Sequence, residues 1–304
     1  MTHTDLPGVD SVGDRVSDEA VRSVEPAAPT NRAIRQLMGS RAAVLSAVFL
    51  AILIGLAVFA PAVATHEPNS QTLLDRLQGP SREHLLGTDS LGRDIFSRLV
   101  FGARVSLVAA ALATAIAVGL GVPAGLVAGA FGRTIDSVLR TIFDVVMSVP
   151  PLVLSLVIIG VLGPSLRNAM ISVGVVVAPR FFRIARGAAR SVRHETYVEA
   201  ARSLGCSPFR VLWRHVLPNT SGPLLVQTSF VVGLAIVAEA SLSFLGLGVQ
   251  PPQSSWGSML QEAYQALGES SWSFYPPALA IALTVLACSL LGDSTRDALG
   301  GTGD

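Results

Sequence analysis

Long stretches without charged residues constrain this chain more than any other feature. Residues 42–65 contain no charge at all, and as a helix they are long enough to cross a hydrocarbon core of ~30 Å. Five further apolar stretches follow at 105–132, 135–162, 168–182, 222–248 and 270–292. Because a backbone in lipid must satisfy its own hydrogen bonds, these stretches predict helices. The sequence therefore predicts an all-α integral membrane protein with six transmembrane helices.

The composition agrees with a membrane protein and excludes several chemistries. Half of the residues are hydrophobic and 14% are charged, whereas soluble domains carry about 25% charged residues. All 22 basic residues are arginines, so the chain has neither a phosphate-binding P-loop lysine nor a Schiff-base lysine. Cys206 and Cys288 show no disulfide or metal-ligand spacing. With no catalytic dyad or enzyme motif in the spans, we expect a protein that is not an enzyme and binds no cofactor or metal.

The distribution of arginines predicts the orientation in the membrane. The loop 183–218 carries seven arginines and two glutamates, whereas the loop 249–273 has no arginine. Arginine-rich loops stay in the cytosol, so the loop 183–218 and both termini are predicted to be cytosolic. The net charge of +1 gives no reason to expect a nucleic-acid partner. The resulting division is a disordered tail (1–40), a first transmembrane helix (41–65), an external loop with an interfacial helix (66–104), a five-helix core (105–295) and a cytosolic tail (296–304).

Two of the spans have features that predict their packing. Gly121, Gly125 and Gly129 recur at every fourth position, so they form one face on which a neighbouring helix can approach closely. The prolines at 150 and 151 should kink the third span. At the start of that span, charged residues at spacings of four predict a ladder of ion pairs (Asp136, Arg140, Asp144).

The cytosolic loop itself has the pattern of two short helices. A modest apolar stripe from residue 197 to 204 predicts the first helix, and Gly205 would end it in a left-handed conformation. Ser207 and Pro208 then mark a second helix start. Leu217 and Pro218 are predicted to close that second helix, because a residue before proline avoids the α region. A compact element of this kind suggests a docking surface outside the membrane.

This loop resembles the EAA loop of ABC-importer permeases. That loop has Glu-Ala-Ala, three residues, Gly, nine residues and then Ile-x-Leu-Pro. The chain has Glu199-Ala200-Ala201, Gly205 and, after nine residues, His215-Val216-Leu217-Pro218. Only His215 departs from the pattern. The resemblance implies that six residues couple the chain to an ATPase: Glu199, Ala200, Ala201, Gly205, Leu217 and Pro218.

Two further segments narrow the resemblance. Residues 84–104, beginning HLLGTDSLGRDIFSRL, and residues 239–252, EASLSFLGLGVQPP, followed by a Trp-Gly pair, are similar to C-type subunits of dipeptide, oligopeptide and nickel permeases. The resemblance implies the type I permease fold of ABC importers in a bacterial inner membrane. It also implies the partners: a homologous B-type permease, two cytosolic subunits that bind ATP and Mg, and an extracytoplasmic binding protein that delivers a peptide.

Glu239 stands inside the fifth span, where a carboxylate costs roughly 2.5–3.5 kcal/mol. It should face a pore, a partner subunit or a hydrogen-bond donor, and we predict a pore or subunit contact. Among functions, a nickel or other small-solute permease of the same family remains an alternative to a peptide permease. A stand-alone secondary transporter is a further alternative, but it would need more intramembrane coupling groups than Glu239.

Overall fold

The computed structural model describes residues 36–192 and 206–300. The described elements are helices, and a single isolated antiparallel bridge joins Thr88 and Asp94. The all-α prediction is therefore confirmed. The helices are α1 (Arg41–Val58), α2 (Ala60–Val63), α3 (Ile95–Ala130), α4 (Arg133–Ser148), α5 (Pro151–Leu162), α6 (Leu166–Val192), α7 (Pro208–Val211), α8 (Leu217–Phe244), α9 (Trp256–Gln265) and α10 (Tyr275–Gly300).

Five of these helices are long and apolar enough to cross a membrane, namely α1, α3, α6, α8 and the α10 region. The predicted third span is the pair α4 and α5, which is bent by 96°. Pro150 lies between the two helices in an extended conformation, with φ −53° and ψ 132°, and Pro151 begins α5. The predicted kink is thus a complete break, and counting the bent pair as one span gives the six that the sequence predicts.

The closest helix packing joins α3 to α6. A β-carbon added at Gly125 would lie 2.5 Å from the carbonyl oxygen of Phe182 and 2.8 Å from the β-carbon of Ala185. Gly121 and Gly129 face the same helix one turn away on either side. The predicted glycine face is confirmed, because the two backbones approach where no side chain separates them.

Two predicted boundaries were wrong. Residues 95–104, predicted as an interfacial helix that leads into the second span at 105, are the first part of α3 and continue into it without a break. The sequence predicts a loop that begins at residue 183 and includes the arginines at 183, 186 and 190, but α6 continues through them to Val192. Their side chains lie on one side of α6, where they contact polar groups or solvent, so these charges do not interrupt the helix.

The prediction that Leu217 and Pro218 close a helix was also wrong. A π-helical segment, Leu212–Val216, passes directly into α8. Leu217 keeps helical angles, with φ −59° and ψ −44°, although a proline follows it. Pro218 is the second residue of α8 and follows the π-helical segment without a break.

Candidate functional site

The predicted coupling segment is described only at its edges. Glu199, Ala200, Ala201 and Gly205 lie outside the described residues. The chain resumes at Cys206, and the predicted helix start is confirmed: α7 begins directly after Ser207, whose hydroxyl accepts a hydrogen bond of 3.4 Å from the backbone N–H at position 210.

The chain after this segment is firmly packed. Val211, Leu212 and Val216 are buried in the main hydrophobic core. Leu217 is half-buried and Pro218 is exposed. The π-helical segment thus fixes one edge of the predicted coupling segment to α8, and α6 fixes the other edge.

A polar cleft of about 620 Å³ lies between α4 and the end of α6. Asp136 accepts two hydrogen bonds from Arg186, one of them 2.7 Å between Oδ2 and Nη2. Arg140 pairs with Asp144 at 3.3 Å, and both side chains are exposed. The predicted ladder is therefore only partly correct, because Asp136 pairs across to α6 instead of along α4.

A second cavity, of about 250 Å³, opens beside the break between α4 and α5. Its lining is mostly aliphatic and comes from α4, α5, α6 and α8, with Val149, Leu152 and Val237 among its residues. Arg180 on α6 also lines this cavity. Its exposed guanidinium makes no hydrogen bond or ion pair with another residue of the described ranges. A charged group next to an apolar cavity, with no such partner among the described residues, is available to an anionic ligand.

Glu239 lies in the interior, with no exposed surface. The hydroxyl of Ser106 on α3 donates to its Oε2 at 3.0 Å, and the hydroxyl of Ser243 donates to its Oε1 at 2.7 Å. Ser106 in turn accepts from the backbone N–H of Trp256 at 3.3 Å, and Ser243 accepts from that of Val249. The predicted pore or subunit contact is thus corrected: the carboxylate joins α3, α8 and α9 inside the chain.

The residues before α3 form a buried ionic network that the sequence did not reveal. Arg93 pairs with Asp89 at 2.7 Å and with Glu262 of α9 at 2.6 Å. Arg98 also pairs with both carboxylates, at 2.7 Å to Glu262, and is 1% exposed. Each of these charges therefore has an opposite charge within hydrogen-bonding distance, as buried charges require. The network fixes the external segment to α9.

Asp94 forms the N-cap of α3. Its Oδ2 accepts a hydrogen bond of 2.8 Å from the backbone N–H of Ser97, and its Oδ1 lies 3.0 Å from Nδ1 of His84. Burial alone would raise the pKa of Asp94, but the hydrogen bonds from Ser97 and His84 and the nearby His66 together hold this pKa below its usual value. The charged carboxylate is also favoured by the positive end of the helix dipole.

Comparison with known proteins agrees with this arrangement. Residues 121–300 match the family model described as binding-protein-dependent transport system inner membrane component. Residues 28–80 match the model described as the N-terminal TM domain of oligopeptide transport permease C. The core also has the fold of an ABC importer permease: it resembles a chain of the inward-facing MetNI methionine ABC transporter, with a TM-score of 0.54 and 18% identity over 67% of this chain and 97% of that one.

Several relatives are similar over nearly their whole length. The dipeptide transport system permease protein DppC of Alkalihalophilus pseudofirmus is 39% identical over 271 residues, which is 89% of each chain. The probable D,D-dipeptide transport system permease protein DdpC of Escherichia coli strain K12 is 38% identical over 86% of this chain and 88% of that one. The glutathione transport system permease protein GsiD of Escherichia coli O6:K15:H31 is 41% identical over 87% and 88%. With its spanning helices and these matches, the chain belongs to the family of multi-pass inner membrane components of binding-protein-dependent transport systems.

Proposed function

We propose that this chain is a channel-forming subunit of an ATP-driven importer of di- or oligopeptides. The observation that carries the proposal is the 39% identity to a dipeptide permease over 89% of both chains. The relatives compared above are named for dipeptide or glutathione transport, and both kinds of solute are small peptides. The aliphatic cavity beside the α4–α5 break is our candidate for this chain's part of the substrate path.

Arg180 is the residue of that path that we propose to contact the substrate. A peptide carries a terminal carboxylate, and arginine binds carboxylates with two parallel hydrogen bonds. The exposed guanidinium lines a cavity whose other walls are mostly aliphatic side chains from four helices. Side chains of the peptide would then meet the apolar wall of the cavity.

The chain would work with several partners. We propose a homologous B-type permease beside it, two cytosolic ATP-binding subunits below it and an extracytoplasmic binding protein that delivers the peptide. ATP and Mg would be bound by the ATP-binding subunits, because this chain has no lysine for a P-loop. The arginine distribution supports cytosolic termini in a bacterial inner membrane.

Coupling would pass through the segment containing Glu199, Ala200, Ala201 and Gly205, together with Leu217 and Pro218. Small residues at 200, 201 and 205 would allow a close approach of backbones, and Glu199 would supply a polar anchor. The firmly packed flanks of this segment support the proposal: Leu212 and Val216 are buried in the core, so a displacement of the segment would reach α8.

The test is uptake by vesicles that contain this chain and the partners encoded beside it. Labelled dipeptide and tetrapeptide would be supplied with the binding protein, with Ni²⁺ as a parallel solute and with the ATPase omitted as a control. The proposal expects peptide uptake that requires both ATP and the ATPase. If Ni²⁺ were taken up and the peptides were not, the transported solute would be a metal ion instead of a peptide. Peptide uptake without the ATPase would refute the importer mechanism in favour of a stand-alone transporter.

A further inference from the structure

Three potential metal ligands lie together at the start of α3, outside the spanning helices. His66 follows α2, His84 belongs to the loop before α3, and Asp94 is the N-cap of that helix. One ligand atom from each residue lies within 4.8 Å of the ligand atoms of the other two. None of the three lines the aliphatic cavity or the polar cleft. The cluster is therefore separate from the path proposed for the substrate.

The distances are close to those of a metal site. Nδ1 of His84 lies 3.0 Å from Oδ1 of Asp94, and Nδ1 of His66 lies 3.8 Å from the same oxygen. A tetrahedral zinc ion with bonds of ~2.0–2.1 Å separates its ligand atoms by roughly 3.3–3.4 Å. The two observed separations lie on either side of this value. The centroids of the two imidazole rings are 4.7 Å apart, and the three ligand atoms lie within 4.8 Å of one another, so binding one ion would require the rings to move closer together.

Surrounding hydrogen bonds already hold the ligands in place. The backbone N–H of Ser97 donates a hydrogen bond to Oδ2 of Asp94. The hydroxyl of Ser97 accepts a hydrogen bond of 3.0 Å from the backbone N–H of His66. The backbone N–H of His84 donates to the hydroxyl of Ser81 at 2.9 Å. Because Oδ2 is bound from the Ser97 side, Oδ1 remains directed toward the two imidazoles. Outer contacts of this kind orient ligands in metal sites.

The chemistry of the donors selects a class of ion. Two imidazole nitrogens and one carboxylate oxygen suit zinc and similar transition metals, whereas Ca²⁺ and Mg²⁺ prefer oxygen donors only. Asp94 and His84 are buried, but the side chain of His66 is 36% exposed. This exposure leaves a route by which the ion can reach the site. We propose that His66, His84 and Asp94 bind a divalent transition-metal ion of the zinc class.

Bound metal would join three parts of the external region. It would connect the residue that follows α2 with the loop before α3 and with the start of α3 itself. In the absence of metal, His84 is the closer partner of Asp94, at 3.0 Å, and His66 lies 3.8 Å from the same oxygen. The role of His66 therefore distinguishes a metal site from a purely structural histidine–carboxylate pair.

The experiment is metal titration of the full chain, purified in detergent with a tag that contains no histidine and stripped with a chelator. Co²⁺ is the probe, because a tetrahedral cobalt site with nitrogen and oxygen ligands absorbs visible light, and Zn²⁺ should displace it. We expect one saturable site per chain. His66→Gln should weaken binding by more than the ~10–100-fold typical of losing an outer contact. His215→Gln, a substitution in the π-helical segment, is the matched control and should leave binding unchanged.

Two outcomes would overturn the proposal: no saturable binding at one ion per chain, or equal binding by the wild type and His66→Gln. The substitution at His66 decides the test, because its contact with Ser97 is made by the backbone N–H and survives the change. His84→Gln serves as a second variant. Asp94→Asn would not isolate metal binding, because it also removes the negative charge that His84 and the start of α3 stabilise.

Discussion

Close contact between α3 and α6 makes a sharp prediction for Gly125→Ala. The added β-carbon would lie 2.5 Å from the carbonyl oxygen of Phe182, 2.8 Å from the β-carbon of Ala185 and 2.9 Å from the backbone nitrogen of Arg186. Two of these atoms belong to the α6 backbone and cannot turn aside as a side chain would. The helices must therefore separate, which breaks contacts along the pair.

The magnitude follows from a comparison within the same helix. Gly119 is also in α3, but a β-carbon there would meet nothing within 4 Å. Both substitutions gain the same helix propensity, about 1 kcal/mol, so this term cancels between them. The remaining difference is the cost of overpacking, typically about 1–3 kcal/mol. Gly125→Ala should be less stable than Gly119→Ala by that amount.

The assay is thermal unfolding of each variant purified in the same detergent, followed by the loss of monodisperse protein. A difference of 1 kcal/mol corresponds to roughly 2–4 °C in Tm for domains of 150–250 residues, so Gly125→Ala should melt several degrees below Gly119→Ala. Equal melting temperatures for the two variants would refute the argument that direct backbone approach holds α3 to α6.

Four further predictions concern the sites described above. Glu239→Leu should lower the free energy of unfolding by about 1–3 kcal/mol, because it leaves two buried serine hydroxyls without their acceptor. An unchanged Tm together with slower transport would instead indicate that Glu239 acts in the pore. Arg180→Gln should slow peptide uptake by inserted protein, whereas Arg140→Gln, at an exposed pair, should not, and equal uptake by both variants would exclude the carboxylate contact. Glu199→Ala should reduce ATP-dependent uptake without reducing the amount of protein in the membrane, and full uptake would contradict the coupling assignment. The pKa of Asp94 is lowered in the folded protein, so its charge stabilises the fold above the unfolded pKa of about 3.9, and this stabilisation is lost as the pH falls through the folded pKa. The difference in unfolding free energy between the wild type and Asp94→Asn should therefore shrink below about pH 4. A difference that persisted there in chemical denaturation would contradict the ionic role.

The helices could be predicted from the sequence where one local property decides the outcome. An uncharged stretch of sufficient length gives a spanning helix, whatever it packs against. Gly121, Gly125 and Gly129 form a face because their spacing follows the helix repeat. The prolines at 150 and 151 break the third span because proline removes a donor and crowds the preceding turn. Each of these effects operates within a few residues of its cause.

Polar contacts between distant parts of the chain could not be predicted in the same way. Arg98 and Glu262 are far apart in sequence, and nothing in either neighbourhood indicates the other. The sequence predicts an external loop with an interfacial helix over residues 66–104, but Asp89, Arg93 and Arg98 are buried there by pairing. One of the two hydrogen-bond donors to Glu239 could be predicted from the sequence, since Ser243 lies one helical turn later. Its second donor, Ser106, belongs to another helix and appears only once α3 and α8 are packed together.

The same packing bears on how a movement of the coupling segment would spread. Residues 193–205 connect α6 to the π-helical segment that leads into α8. Near its end, α6 contacts Gly129 of α3 through Ala189, and α8 is joined to α3 by Glu239 and Ser106. A displacement at either edge of the segment would therefore reach α3 through rigid contacts. Of the bent pair, α4 contains no buried residue, whereas α5 buries Ser155 and Ile159. We therefore expect relative motion within this chain to concentrate on the α4 side of the break around Pro150.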